Sequence, residues 1–138
     1  GSGNQGITAS VPLIVYAQEN NIDQEKLYRG LTLSNLCTIH IKNSIGKLSD
    51  FCGVVIAAAG FSAGLAYLDG GDENEVCHAI VNTLGIISGI VCDGAKSSCA
   101  AKIASIICCS GTSFAPASII MTFSLVEATV KAISDTAL

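Results

Sequence analysis

The stretch that decides the fold is Cys52–Leu68, which reads CGVVIAAAGFSAGLAYL. It contains no charged residue and is rich in Ala, Gly and Val, so a helix of this sequence has no polar face to turn toward water. The stretch is also too short for an ordinary membrane span, which needs about 20 apolar residues. We therefore expect a helix that other helices bury on most of its sides.

Two further helices are expected upstream of this segment. Gly1–Gly6 has the composition of a glycine-rich loop, after which Ser10 is a candidate N-cap and Pro12 lies in the first turn, where proline is tolerated. Asp23 is expected to cap the second helix, which ends at the break formed by residues 43–46.

The chain continues in the same pattern around and after the buried segment. Ser49 or Asp50 is a candidate cap for the buried helix, and Asp69-Gly70-Gly71-Asp72 ends it. No alternating strand pattern is evident. The sequence thus predicts an all-α fold, with residues 1–138 forming a single domain of five or six closely packed helices. Three more helices are expected. The fourth covers about residues 73–91, the fifth runs from the interruption at residues 92–94 to about residue 109, and the last begins near residue 116.

Composition limits the partners. The net charge is −4, 13% of residues are charged and there is no basic run, which argues against nucleic acid. The uncharged stretch Ile103–Val126 is long enough to span a bilayer, but it contains Gly111, Pro116 and several Ser and Thr. We expect deeply buried helices and no membrane insertion, with a helical membrane protein as the alternative.

The methionine and cysteine content indicates the extent of the chain and its redox compartment. The only methionine is Met121, so we expect a piece of a longer protein, and Gly1-Ser2 could be a cloning remnant. The odd number of cysteines and the absence of a visible secretory signal favour a reducing cytoplasm over a disulfide scaffold. The seven cysteines are residues 37, 52, 77, 92, 99, 108 and 109.

The run CDGAKSSC, residues 92–99, is the strongest candidate metal site. On a straight helix its two cysteines would be about 10.5 Å apart along the axis. Gly94 permits a reversal that brings the thiols together, an arrangement that suits an iron–sulfur cluster better than a zinc ribbon. The alternative is that Cys92 and Cys99 are small buried apolar side chains. Asp93 and Lys96 could support the site or form a solvated capping pair.

The other cysteines divide into two groups. Cys52 is expected in the first turn of its helix, where the positive end of the helix dipole favours a thiolate. The rest are expected to be packing residues because they lie in apolar helical stretches; these are Cys37, Cys77, Cys108 and Cys109.

Polar groups near the first and second helices are further candidates. Free N–H groups of the glycine-rich loop could hold a carboxylate, with hydrogen bonds from Ser2 and Asn4, although a flexible terminus explains the composition equally well. His40, Lys42 and Lys47 lie near the end of the second helix, where positive charge complements the helix dipole.

Three segments together resemble the iron–sulfur-dependent L-serine dehydratase alpha-chain family, in particular its L-cysteine desulfidase-like branch. They are GSGNQGI at residues 1–7, IGKLS at 45–49 followed by Cys52-Gly53, and CDGAK at 92–96 followed by Cys99. The resemblance extends to about residue 102 and weakens from residue 111 onward.

The resemblance implies a [4Fe–4S] cluster held by Cys52, Cys92 and Cys99, with one iron open to substrate. It also implies β-elimination from a small amino acid, giving ammonia and a 2-oxo acid. The substrate carboxylate would be held by the glycine-rich segment, namely Ser2, Gly3, Asn4 and Gln5.

Lys42 and Lys96 match family-like positions and are candidate catalytic residues. Family members are longer, so the resemblance implies that this is the C-terminal, cluster-bearing domain and that an N-terminal portion is its partner. The isolated domain is then expected to have little activity, and a homo-oligomer is left open. The alternative is a non-catalytic structural or interaction domain whose cysteines only pack.

Overall fold

The computed structural model describes residues 3–46, 51–87, 90, 102–103 and 105. Within them the chain forms four helices and no strand, which confirms the all-α prediction. The predicted fifth and sixth helices fall largely outside the described residues. The helices are α1 (Gly3–Glu19), α2 (Gln24–Ile45), α3 (Gly53–Leu68) and α4 (Glu73–Ile87).

Helix α3 lies at the centre and packs against the other three helices. Every residue from Val54 to Ala66 is buried, as expected for a helix without a polar face. Phe61, Leu65 and Leu68 join Leu13 of α1 in the main apolar cluster. Removal of this apolar surface from water is the chief force that holds the helices together.

Small residues allow α2 and α3 to approach closely. A Cβ atom added at Gly60 would collide with the Thr38 hydroxyl and the Ser34 carbonyl oxygen of α2. One at Gly64 would lie 2.9 Å from the Gly30 carbonyl oxygen. The buried Ser34 hydroxyl donates to the Ala9 carbonyl of α1 at 2.8 Å, so a polar contact is satisfied at the same crossing.

The start of α1 corrects one expectation. The helix already begins at Gly3, so Ser10 is not an N-cap and Pro12 lies buried inside the helix. Thr8 and Ala9 are almost fully buried. Their burial offsets the low helix propensity of the preceding glycines, so the helix forms despite them.

The ends of α2 agree better with the sequence. Asp23 is the N-cap, as predicted, and its carboxylate accepts the Glu25 amide at 3.0 Å. The helix continues through the predicted break as far as Ile45. It stops at Gly46, whose φ of 101° suits glycine and whose N–H bonds to the Lys42 carbonyl.

The start of α4 at Glu73 confirms the prediction, whereas the cap of α3 differs from it. Cys52, rather than Ser49 or Asp50, is the N-cap residue of α3. Helix α4 begins with a reciprocal capping box. Asp72 accepts the Glu75 amide at 2.9 Å, and the Glu75 carboxylate accepts the Asp72 amide at 3.0 Å.

Contacts at the two ends of the bundle fix the helix directions. At one end, Lys42 near the end of α2 bonds to Gln5 in the first turns of α1. At the other, Tyr16 near the end of α1 bonds to Asp69, which follows α3. Helices α1 and α3 therefore run parallel, and α2 runs antiparallel to both. None of the described helices is long and apolar enough to cross a membrane.

Candidate functional site

Gln5 connects three helices at the end of the bundle where α1 and α3 begin. Its Oε1 accepts a hydrogen bond of 2.9 Å from Lys42 Nζ. The same oxygen would lie 3.7 Å from a Cβ atom at Gly53, the first residue of α3. The N-termini of α1 and α3 and a lysine of α2 thus meet next to Cys52.

A pocket of about 220 Å³ opens between α1 and α2 at this place. It combines polar groups with apolar walls, as small-molecule sites do. Asn35 donates to the Leu31 carbonyl within its own helix at 2.8 Å, which holds the amide in position. The pocket is lined by Gln5, Gly6, Ala9, Asn35, Thr38, Ile39 and Lys42.

Cys52 is buried at the start of α3, with 2% of its surface exposed. Its carbonyl accepts the amides of Val55 and Ile56, and its side chain makes no capping hydrogen bond. The expected position at the positive end of a helix is therefore correct to within one residue, since Cys52 precedes the first turn.

The residues around Cys52 come from either side of the Cys92–Cys99 segment. The Cys52 amide donates to the Ile90 carbonyl at 3.1 Å. Ile103 belongs to the same buried cluster as Cys52. Cys92 and Cys99 themselves lie outside the described residues. Among the residues that are described, no group of three metal-binding side chains is present, so the expected convergence of the three thiols stays a prediction.

The glycine-rich segment is placed differently from the expectation. Gly3, Asn4 and Gln5 form the first turn of α1 instead of a loop in front of it. The N–H groups of a first turn have no partner within their helix, so they can still bind an anion. Ser2, Lys47 and Lys96 lie outside the described residues.

Comparison with known proteins places the chain in a family. Residues 1–135 match the sequence model of the serine dehydratase alpha chain. The chain belongs to the serine dehydratase alpha chain family. The resemblance that the three sequence segments carried is thereby confirmed at the level of the family.

The relatives of this serine dehydratase alpha chain domain are much longer. A UPF0597 protein of Desulfitobacterium hafniense is 60% identical over 107 residues, which are 78% of this chain and 25% of the relative. UPF0597 proteins of Treponema denticola and Fusobacterium nucleatum are 60% and 55% identical over 76% of the chain. The chain spans about a quarter of the length of these relatives. No solved structure matches it.

The remaining cysteines of this serine dehydratase alpha chain domain differ in exposure. Cys37 is partly buried, and burial together with the neighbouring Cys77 raises the pKa of its thiol. Cys77 is exposed on α4, so the expectation that it is a packing residue is wrong. A single cysteine in an apolar stretch does not reveal which face of the helix carries it. Cys108 and Cys109 lie outside the described residues.

Two pocket residues, Asn35 and Thr38, were missed by sequence reasoning. They share one face of α2 with Ile39 and Lys42, at positions i, i+3, i+4 and i+7. That spacing was readable from the sequence. It carried no recognisable motif, and only the packing of α1 against this face turns it into a pocket.

Proposed function

We propose that the chain is the cluster-bearing domain of an amino-acid lyase of the L-serine dehydratase or L-cysteine desulfidase type. The reaction is β-elimination. The substrate loses its α-proton and its β-substituent, which leaves as water or hydrogen sulfide, and the resulting enamine tautomerises and hydrolyses to a 2-oxo acid and ammonia. Family membership supports the reaction class.

The observation that carries the proposal is the position of Gln5. It bonds to Lys42 and lies against Gly53, so a candidate anion-binding helix start and a polar pocket adjoin a candidate cluster ligand, Cys52. Gln5, Lys42 and Cys52 belong to different segments of the sequence, and only the fold brings these segments together. Their meeting is what a site for substrate beside a metal centre requires.

Cys52, the candidate ligand within the described residues, suits an iron–sulfur cluster. Cysteine thiolates are the usual ligands of [4Fe–4S] clusters. Cys52 lies in a buried apolar cluster at a helix start. Its amide donates to the carbonyl of Ile90, which precedes Cys92, and Ile103, which follows Cys99, belongs to the same cluster. Cys52, Cys92 and Cys99 would hold the cluster, which when bound would supply a Lewis acid that polarises the leaving group or the carboxylate.

The chain's own residues bind and orient the substrate in this proposal. The segment Ser2–Gln5, whose residues from Gly3 onward form the first turn of α1, holds the carboxylate. Lys42 and Lys96 are the candidate catalytic residues. Activity requires the rest of the longer protein, so we expect little or no turnover by the isolated domain.

A non-catalytic structural or interaction domain is the second candidate function. It is favoured by one observation, the burial of Cys52 in the same apolar cluster as Phe61 and Ile103. A free cysteine in such a setting can simply pack. Substitution of Cys52 separates the two functions.

The test uses the full-length protein that contains this domain, purified without oxygen and with its cluster reconstituted. Turnover of a panel of L-amino acids is followed by the release of ammonia and 2-oxo acid. We expect turnover of at least one small amino acid by the wild type and by the Cys77→Ser control, and none by Cys52→Ser. A reconstituted wild type that consumes no amino acid, or a fully active Cys52→Ser variant, would refute the proposal.

A further inference from the structure

In the part of the chain that the structure describes, the pocket between α1 and α2 contains a lysine that has no carboxylate partner. Lys42 Nζ is partly buried, and within the described residues its hydrogen-bond partner is the neutral amide of Gln5 rather than a carboxylate. An ammonium group has three donors, of which this bond uses one. The other two are available to an acceptor that enters the pocket.

The neighbouring groups suit a carboxylate. Because Gln5 Oε1 accepts from Lys42, the amide nitrogen of Gln5 remains a donor on the same side chain. Asn35 Nδ2 has a second hydrogen beyond the one that it donates to Leu31. A carboxylate in this place would receive hydrogen bonds from a cation and from neutral amides, and bonds of the first kind are the stronger.

The size and walls of the pocket limit the rest of the ligand. Its volume of about 220 Å³ is below the roughly 300–1,000 Å³ of pockets that take drug-sized molecules. Ala9 and Ile39 provide apolar surface beside the polar groups. A compact molecule with one carboxylate and a short carbon chain fits these features.

We infer that this pocket binds the carboxylate of a small amino acid and that Lys42 is its counter-ion. The inference rests on the proposed function and deepens it, because it extends the carboxylate site from the Ser2–Gln5 segment through Gln5 to Lys42. It also gives Lys42 a role in substrate binding instead of a catalytic one. Since Gln5 also lies against Gly53, an amino acid held here lies beside the start of α3 and Cys52.

The test measures binding of L-alanine to the full-length protein by isothermal titration calorimetry. L-Alanine has the amino and carboxylate groups but no β-substituent that can leave, so binding is observed without turnover. L-Alaninamide, which lacks the carboxylate, is the matched ligand. Lys26→Met is the matched variant, because Lys26 lies on the same helix outside the pocket.

We expect Lys42→Met to weaken L-alanine binding about 10- to 100-fold, the loss typical of a charge-assisted hydrogen bond. Lys42→Arg should retain most of the affinity and Lys26→Met all of it. L-Alaninamide should bind weakly and equally to every variant. Equal affinity of wild type and Lys42→Met for L-alanine would overturn the inference, as would a wild type that does not bind L-alanine or an equal loss of both ligands in Lys42→Met.

Failure of the inference can be told from failure of the proposed function. If L-alanine binding depends on Lys42 but no amino acid is turned over by the reconstituted wild type, the pocket assignment stands and the lyase proposal fails. If an amino acid is turned over while Lys42→Met leaves both its KM and L-alanine binding unchanged, the lyase proposal stands and the pocket assignment fails.

Discussion

A tyrosine joins α1 to the end of α3 far from the candidate site. Tyr16 is buried, and its hydroxyl donates to Asp69 Oδ1 at 3.1 Å. Burial and the negative charge of Asp69 raise the pKa of Tyr16 to about 12. In an unfolded chain the pKa of tyrosine is about 10. Folding therefore favours the neutral phenol, and the stability that this contact contributes decreases at alkaline pH.

The direction of this pH dependence follows from the raised pKa. The contribution of Tyr16 is fully present below about pH 10 and is lost between about pH 10 and 12, where only the unfolded chain releases the proton. We expect the free energy of unfolding of the wild type to fall in that range more than that of Tyr16→Phe. Tyr28→Phe is the control, because Tyr28 is exposed and should keep the wild-type pH profile. Identical profiles of wild type and Tyr16→Phe in denaturant titrations would refute this assignment.

Single residues could be predicted from the sequence where a local rule applies. Asp23 has a side chain suited to capping and precedes a helix, and Cys52 comes just before an uncharged apolar stretch, so both were placed near helix starts. The Gln5–Lys42 bond was not predicted. It joins residues 37 positions apart, and no local pattern encodes such a contact.

At the scale of helices, the close approach of α2 and α3 requires a residue without a side chain at position 60. Gly60→Ala would drive a Cβ atom into Thr38 and into the backbone carbonyl of Ser34, which cannot rotate away. We expect a loss of about 1–3 kcal/mol in the free energy of unfolding, as for other overpacked cores. Urea titration of the purified chain measures it.

Gly85→Ala is the matched control for this helix crossing. Gly85 is also inside a helix, but an added Cβ atom meets no atom of the described residues within 4 Å. Alanine should therefore stabilise the chain by about 0.4–1 kcal/mol through the unfolded state. If the free energy of unfolding of Gly60→Ala equalled that of Gly85→Ala, the close approach of α2 and α3 at Gly60 would be refuted.

The helices themselves were predictable to different degrees. The uncharged run from Val54 to Ala66 predicted the buried helix α3, because burial follows directly from the absence of a polar face. The start of α1 was predicted eight residues too late, at residue 11 after an N-cap at Ser10 instead of at Gly3. Glycines argue locally against a helix, and only the burial of Thr8 and Ala9 in the assembled bundle outweighs that preference.

At the scale of the whole molecule, the helix directions bring distant motifs together. Because α1 and α3 are parallel and α2 is antiparallel to both, Gln5 of α1, Lys42 of α2 and Gly53 of α3 meet at one end of the bundle. Gln5 and Gly53 belong to two of the three segments that carried the family resemblance. The family could be predicted from the sequence, whereas the pocket and the position of Lys42 in it could be found only from the structure.

The central claim is that Cys52, Cys92 and Cys99 hold one cluster in the full-length protein. Iron and acid-labile sulfide are measured per chain after anaerobic purification, for the wild type and for the single Cys→Ser variants at positions 52, 92, 99 and 77. We predict about four of each in the wild type and in Cys77→Ser, as a [4Fe–4S] cluster requires, and a large loss in each of the other three variants. A wild type without iron, or Cys52→Ser with a full complement of iron and sulfide, would contradict the claim.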